Sequence, residues 1–101
     1  MTQPDKLTPD EAKRAIRLIL DEGTIELSFH CRRESMPKRG ITMPDLLHAL
    51  RTGEVVRAPE WDDERQQWKY RVEGLDTEGD ELTSVTLIFD VKLKLYIITV
   101  F

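Results

Sequence analysis

A two-layer α+β sandwich, with two helices packed on one face of a mainly antiparallel sheet, is predicted by three features of the sequence. Two stretches carry helix-start signals followed by apolar residues at helical spacing, and the second half of the chain alternates apolar and polar residues between turn signals. The resulting order is helix, strand, helix and then four strands, which is packed most simply by gathering the helices on one side. A chain of 101 residues supports one small core, so residues 1–101 read as a single domain with 1–7 as a short frayed tail.

Each element has its own signal. In Thr8-Pro9-Asp10-Glu11, Thr8 caps, Pro9 takes the first helical position and Glu11 completes a capping box. Ala12, Ala15, Ile16, Ile19 and Leu20 then fall on one face, and Gly23 terminates the helix. Thr24 to Phe29 alternates as a strand, with Ile25, Leu27 and Phe29 on one side and Glu26, Ser28 and His30 on the other. A helical turn is predicted around Arg32 to Ser35, stopped by Pro37 and closed by Gly40. Thr42-Met43-Pro44-Asp45 repeats the capping logic ahead of Leu46, Leu47, Ala49 and Leu50, and Gly53 ends that helix.

Glu54 to Ala58 reads as a short strand ended by Pro59, and Trp61 to Gln66 as an acidic turn. Gln67 to Glu73 alternates, putting Trp68, Tyr70 and Val72 in the core and Lys69 and Arg71 away from it. Gly74 to Asp80 is a loop, and Leu82 to Phe89 and Leu93 to Phe101 form a hairpin through Asp90-Val91-Lys92. The last strand is apolar on both parities, which places it inside the sheet or under cover on both faces.

Composition excludes several classes. The single cysteine, Cys31, rules out an internal disulfide and a cysteine-built zinc site. The start of the chain lacks the apolar core of a signal peptide and no long apolar run follows, so a cytoplasmic protein without a membrane partner is expected. His30 and His48 stand apart from any ligand-spaced motif and no glycine-rich phosphate loop occurs, so neither a metal nor a cofactor is predicted. His48 reads as an ordinary helix residue. Cys31 points the opposite way from His30 on an extended chain and reads as a buried, inert thiol. The net charge of −4 argues against indiscriminate coating of nucleic acid. That charge is unevenly spread: from Cys31 to Ala58 six bases face three acids, whereas from Pro59 to Asp80 three bases face eight.

The stretch from Ser28 to Thr42 gathers His30, Arg32, Arg33, Lys38 and Arg39 around one acid, Glu34. Arginine forks fit phosphate and an imidazole exchanges a proton near neutral pH, although charge runs are ordinarily solvated surface. Metal-free RNA cleavage needs a base for the 2′-hydroxyl, an acid for the leaving 5′-oxygen and cations for the phosphate. His30, Arg39 and Lys69 are the catalytic candidates, and Arg32, Arg33, Lys38 and Arg71 the RNA-binding ones. Tyr96 is available to stack on a base; Tyr70 is assigned by parity to the core.

Ser28-x-His30-Cys31, Arg39-Gly40-Ile41-Thr42, the Asp45-Leu46-Leu47-x-x-Leu50 helix with Gly53-Glu54-Val55-Val56, Tyr70-x-Val72 and the closing Ile97-Ile98-Thr99-Val100-Phe101 resemble a family of small bacterial domains of unknown function. Members are often paired with zinc-finger antitoxins and look similar to the RelE and MqsR toxins. The resemblance implies a RelE/MqsR-like sandwich, an endonuclease acting on free or ribosome-bound mRNA, and a cognate antitoxin, possibly of zinc-finger type. Two readings therefore stand: a type II toxin that cleaves RNA without metal, and a non-catalytic protein-binding or regulatory module on the same fold. Burial of Arg39 in an ion pair with Glu34 or Asp45 would favour the second.

Overall fold

The computed structural model describes residues 4–101. Helix α1 (Pro9–Glu22) leads into β1 (Thr24–Leu27); a helical segment over 29–39 follows, wound as a π-helix over Cys31–Ser35 and ending in α2 (Met36–Arg39). Helix α3 (Met43–Thr52), β2 (Glu60–Asp62), β3 (Gln67–Leu75), β4 (Glu81–Phe89) and β5 (Lys94–Val100) complete the chain. The strands form one five-stranded sheet in the order β1-β5-β4-β3-β2. It is mixed, because β1 runs parallel to β5 while the other pairs are antiparallel.

Both predicted capping boxes form. Thr8 accepts from the Glu11 N–H and Thr42 from the Asp45 N–H, with each acid reaching back to its cap. Ala12, Ile16 and Ile19 of α1 and Leu46, Ala49 and Leu50 of α3 are buried in one core with Tyr70, Val72, Leu82, Ile88, Leu95, Ile97 and Val100. The two long helices thus cover one face of the sheet. As predicted, β5 is an interior strand, flanked by β1 and β4. The opposite face carries Lys69, Leu87, Tyr96 and Glu26 in one cross-strand row and Arg71, Val85 and Thr99 in the next.

Three local expectations are corrected. First, β1 stops at Leu27, and Phe29, placed by strand parity on the side of Ile25 and Leu27, is exposed. The cause is Ser28, whose hydroxyl accepts from the Cys31 N–H at 2.9 Å and so caps a helix in place of extending the strand. Second, Pro37 does not stop the helical turn, which runs through it to Arg39. In an α-helix the proline ring would meet the Arg33 carbonyl and leave it unpaired. The wider π-turn just before, with the Met36 N–H donating to Cys31 O, accommodates the ring. Third, Glu54 to Ala58 makes only one bridge, Glu54 to Glu73, and Val56 is exposed. The edge strand forms instead at Glu60–Asp62, part of which reads from sequence as a turn. Asp62 is the reason: its carboxylate accepts from both the Arg65 N–H and the Arg65 guanidinium, closing the turn after Asp62.

Of the expected tail, residues 1–3 lie outside the described residues, and Pro4 to Leu7 lie along β3. The Trp68 indole donates to the Pro4 carbonyl at 2.8 Å and the Leu7 N–H to the Tyr70 hydroxyl at 2.8 Å. Among the described residues no helix is long and apolar enough to cross a membrane.

The loop after β3 is tied to the start of α3 through Asp45. Its carboxyl is held far below the usual carboxylate range, first by the Thr77 hydroxyl and then by the Thr42 and Thr77 N–H groups and the Thr42 hydroxyl. A depressed native value gives stability that is present above pH 4 and lost as the pH falls toward it. Asp45→Asn is therefore expected to flatten the acid limb of the stability curve below about pH 4, near the carboxylate's unfolded value. Denaturant unfolding at successive pH values checks this; parallel limbs for the two proteins would contradict it.

Candidate active site

A concavity of about 970 Å³ opens between the helical segment 29–39 and the end of β5. His30, Arg33, Glu34, Lys38 and Arg39 line one wall, and Thr99, Val100 and Phe101 the other. Two serines set this wall spacing. The Ser28 hydroxyl donates to the Ile98 carbonyl at 2.6 Å, and the Ser35 hydroxyl accepts from the Val100 N–H at 3.3 Å while donating to the Cys31 carbonyl. Ile98 is the extra residue of a bulge, since Thr86 pairs with Ile97 and Val85 with Thr99. Both serines are buried, as is Cys31 between them, whose thiol is pushed up by burial and is a poor nucleophile.

His30 lies in the first turn of the helical segment, so Glu34 is one turn ahead of it. Its Nδ1 meets Glu34 Oε2 at 2.6 Å, and both side chains remain more than half exposed. A carboxylate at Nδ1 selects the tautomer with its proton there, leaving Nε2 free to accept one. The pairing also leaves Arg39 without Glu34, while Asp45 is occupied by Thr42 and Thr77. Arg39 is exposed, and among the described residues Arg32, Arg33, Lys38, Arg39, Lys69 and Arg71 form no ion pair. The buried structural ion pair expected of a purely architectural loop is therefore not formed by Arg39.

The concavity brings together His30, Arg33, Lys38 and Arg39, but not Lys69. Lys69 lines a separate hollow on the open sheet face with Arg57, Glu60, Arg71 and Val85. Arg71 links the two, because its guanidinium lies 4.9 Å from the centre of the Phe101 ring at the rim of the concavity. Arg32 is exposed on the same helical segment outside the concavity's lining. Tyr70 is core, with its hydroxyl spent on Leu7 and its ionisation pushed up by burial.

Sequence reasoning missed Glu34, Thr99 and Phe101. The i,i+4 spacing of His30 and Glu34 was a usable signal, but it counts only on a helix and His30 reads from sequence as the end of a strand. Among the described residues no three His, Cys, Asp or Glu side chains are grouped so as to hold a metal ion.

No curated protein and no solved structure matches the chain. The family described as Domain of unknown function (DUF4258) matches residues 27–101, a span that runs from the end of β1 to Phe101 and contains every residue of the concavity. The chain belongs to this family.

Proposed function

We propose that the protein is a toxin of the RelE/MqsR kind that cuts RNA at the His30 concavity, and that a cognate antitoxin restrains it. The observation that carries this reading is the Glu34-oriented imidazole of His30 set among Arg33, Lys38 and Arg39, three cations that form no ion pair among the described residues, in one solvent-open concavity. His30 Nε2 takes the proton of a ribose 2′-hydroxyl as that oxygen attacks the adjacent phosphorus. The bond from phosphorus to the 5′-oxygen breaks, and the leaving oxygen takes a proton from solvent. Arg33 and Arg39 stabilise the charge on the phosphate in between. The products are a 2′,3′-cyclic phosphate and a 5′-hydroxyl. Lys69 and Arg71 serve the flanking strand on the open sheet face.

Induced expression followed by mapping of new RNA ends tests the reading. Growth arrest with new ends is expected for the native chain, and a loss of about 10²-fold in cleavage for Arg39→Ala, the effect of removing one transition-state donor. Native protein that neither arrests growth nor cuts RNA would remove the proposal and leave a binding module.

A further inference from the structure

Two large aromatic rings stand exposed, Phe101 in the lining of the concavity and Phe29 at its helical side. Phe101 is 43% exposed and lines the sheet wall; Phe29, 68% exposed, stands outside the lining, one residue before His30 and against Arg33 of the helical wall. Neither ring is needed by the core, and exposing a phenyl group to water is unfavourable. Each ring is also partnered by an arginine: Arg71 lies 4.9 Å from the Phe101 ring centre, and Arg33, itself a lining residue, lies 5.8 Å from that of Phe29. An aromatic face beside a guanidinium is the combination that binds a nucleotide of a single strand, the ring taking the base and the cation its phosphate. A paired base hides both its faces in the stack and offers nothing to either ring.

We infer that Phe29 and Phe101 are base-stacking residues that hold the nucleotides on the two sides of the phosphate engaged by Arg33 and Arg39, and that they restrict the site to unpaired RNA. This deepens the nuclease reading and rests on its placing RNA in the concavity; the binding it describes does not need cleavage to occur. Two phenylalanines also suit a protein partner, and the test separates that case.

The probe is a 2′-O-methyl RNA oligonucleotide, which has no 2′-hydroxyl to attack, presented as a single strand and as a hairpin duplex. Binding to the full chain is read by fluorescence anisotropy over a range of salt concentrations. The single strand is expected to bind at least ten times more tightly than the duplex. Phe29→Leu and Phe101→Leu are each expected to weaken single-strand binding about tenfold, the effect of losing one stacked base. The salt slope and duplex affinity should stay unchanged, because no phosphate contact is lost. Phe101→Trp should restore binding. Equal affinity for strand and duplex, or leucine variants that bind like the native chain, would overturn the inference. So would leucine variants that bind RNA normally and lose only a protein partner. Failure of the native chain to cut unmodified RNA, with ring-dependent single-strand binding intact, would remove the nuclease reading and leave this one standing.

Discussion

Replacing His30 by alanine is expected to reduce RNA cleavage by about 10²–10⁴-fold, the usual contribution of a positioned general base. The side chain is 57% exposed and, among the described residues, hydrogen-bonds only to Glu34, itself exposed, so the fold does not depend on it. Thermal stability should change by less than about 0.5 kcal/mol, as at other surface positions. Glu34→Gln should lower the rate to a lesser degree while leaving RNA binding intact, because the amide can hold the ring but does not stabilise the imidazolium that forms. Single-turnover cleavage and thermal unfolding of the same preparations check both halves. A His30→Ala protein that cuts at the native rate would take the imidazole out of the chemistry.

Ile97→Ala is the change expected to cost most in stability. Ile97 is fully buried in β5, opposite Leu27 of β1 and Thr86 of β4, and its carbonyl accepts from the Ser28 N–H at 2.9 Å. Removing the side chain opens a cavity beneath the junction that carries the helical segment. The expected loss is about 2–5 kcal/mol for a buried aliphatic truncated to alanine. In a domain of this size that corresponds to a fall in Tm of at least about 10 °C. Conversion of Val85 to alanine, half-buried on the open face, serves as the comparison and should cost much less. Equal losses for the two would mean that the open face is covered and the layer assignment is wrong.

The parts of the fold that were legible in the sequence are those where a local rule and the tertiary packing agree. The two capping boxes, the core parity of Tyr70 and Val72 and the interior position of β5 follow from residue chemistry that the packing reinforces. The misread segments are those where a side chain redirects the backbone. Ser28 has strand neighbours, yet its hydroxyl bonds forward to Cys31 and across to Ile98, which turns extended chain into helix. That one bond moves His30 from the polar face of a strand to the first turn of a helix. It also exposes Phe29 and puts Glu34 within reach of the imidazole. Val55 and Val56 read as a strand by propensity, but pairing there stops at Glu54 and only Val55 is buried.

The site shows the same division. The cations of Ser28 to Thr42 are close in sequence, so their clustering survives the change from strand to helix. Lys69 is far from that stretch in sequence, and strand parity says which face it takes but not which element it meets. The parity of β3 puts Lys69 on the face away from the core, where it lines a separate hollow and not the concavity. Contributions from Thr99 and Phe101 required knowing that β5 ends beside the helical segment. That neighbourhood is set by the Ser28 and Ser35 hydrogen bonds to β5, which leave no pattern along the chain.

Metal-free cleavage at His30 is tested most directly by the chemistry of the ends that the purified protein makes on a single-stranded RNA in the presence of a chelator. Attack by the 2′-hydroxyl leaves 2′,3′-cyclic phosphate and 5′-hydroxyl ends, which are expected to be absent with His30→Ala and absent when the nucleotide before the cut carries 2′-deoxyribose. Ends bearing a 5′-phosphate, or cutting that needs a divalent cation, would contradict it.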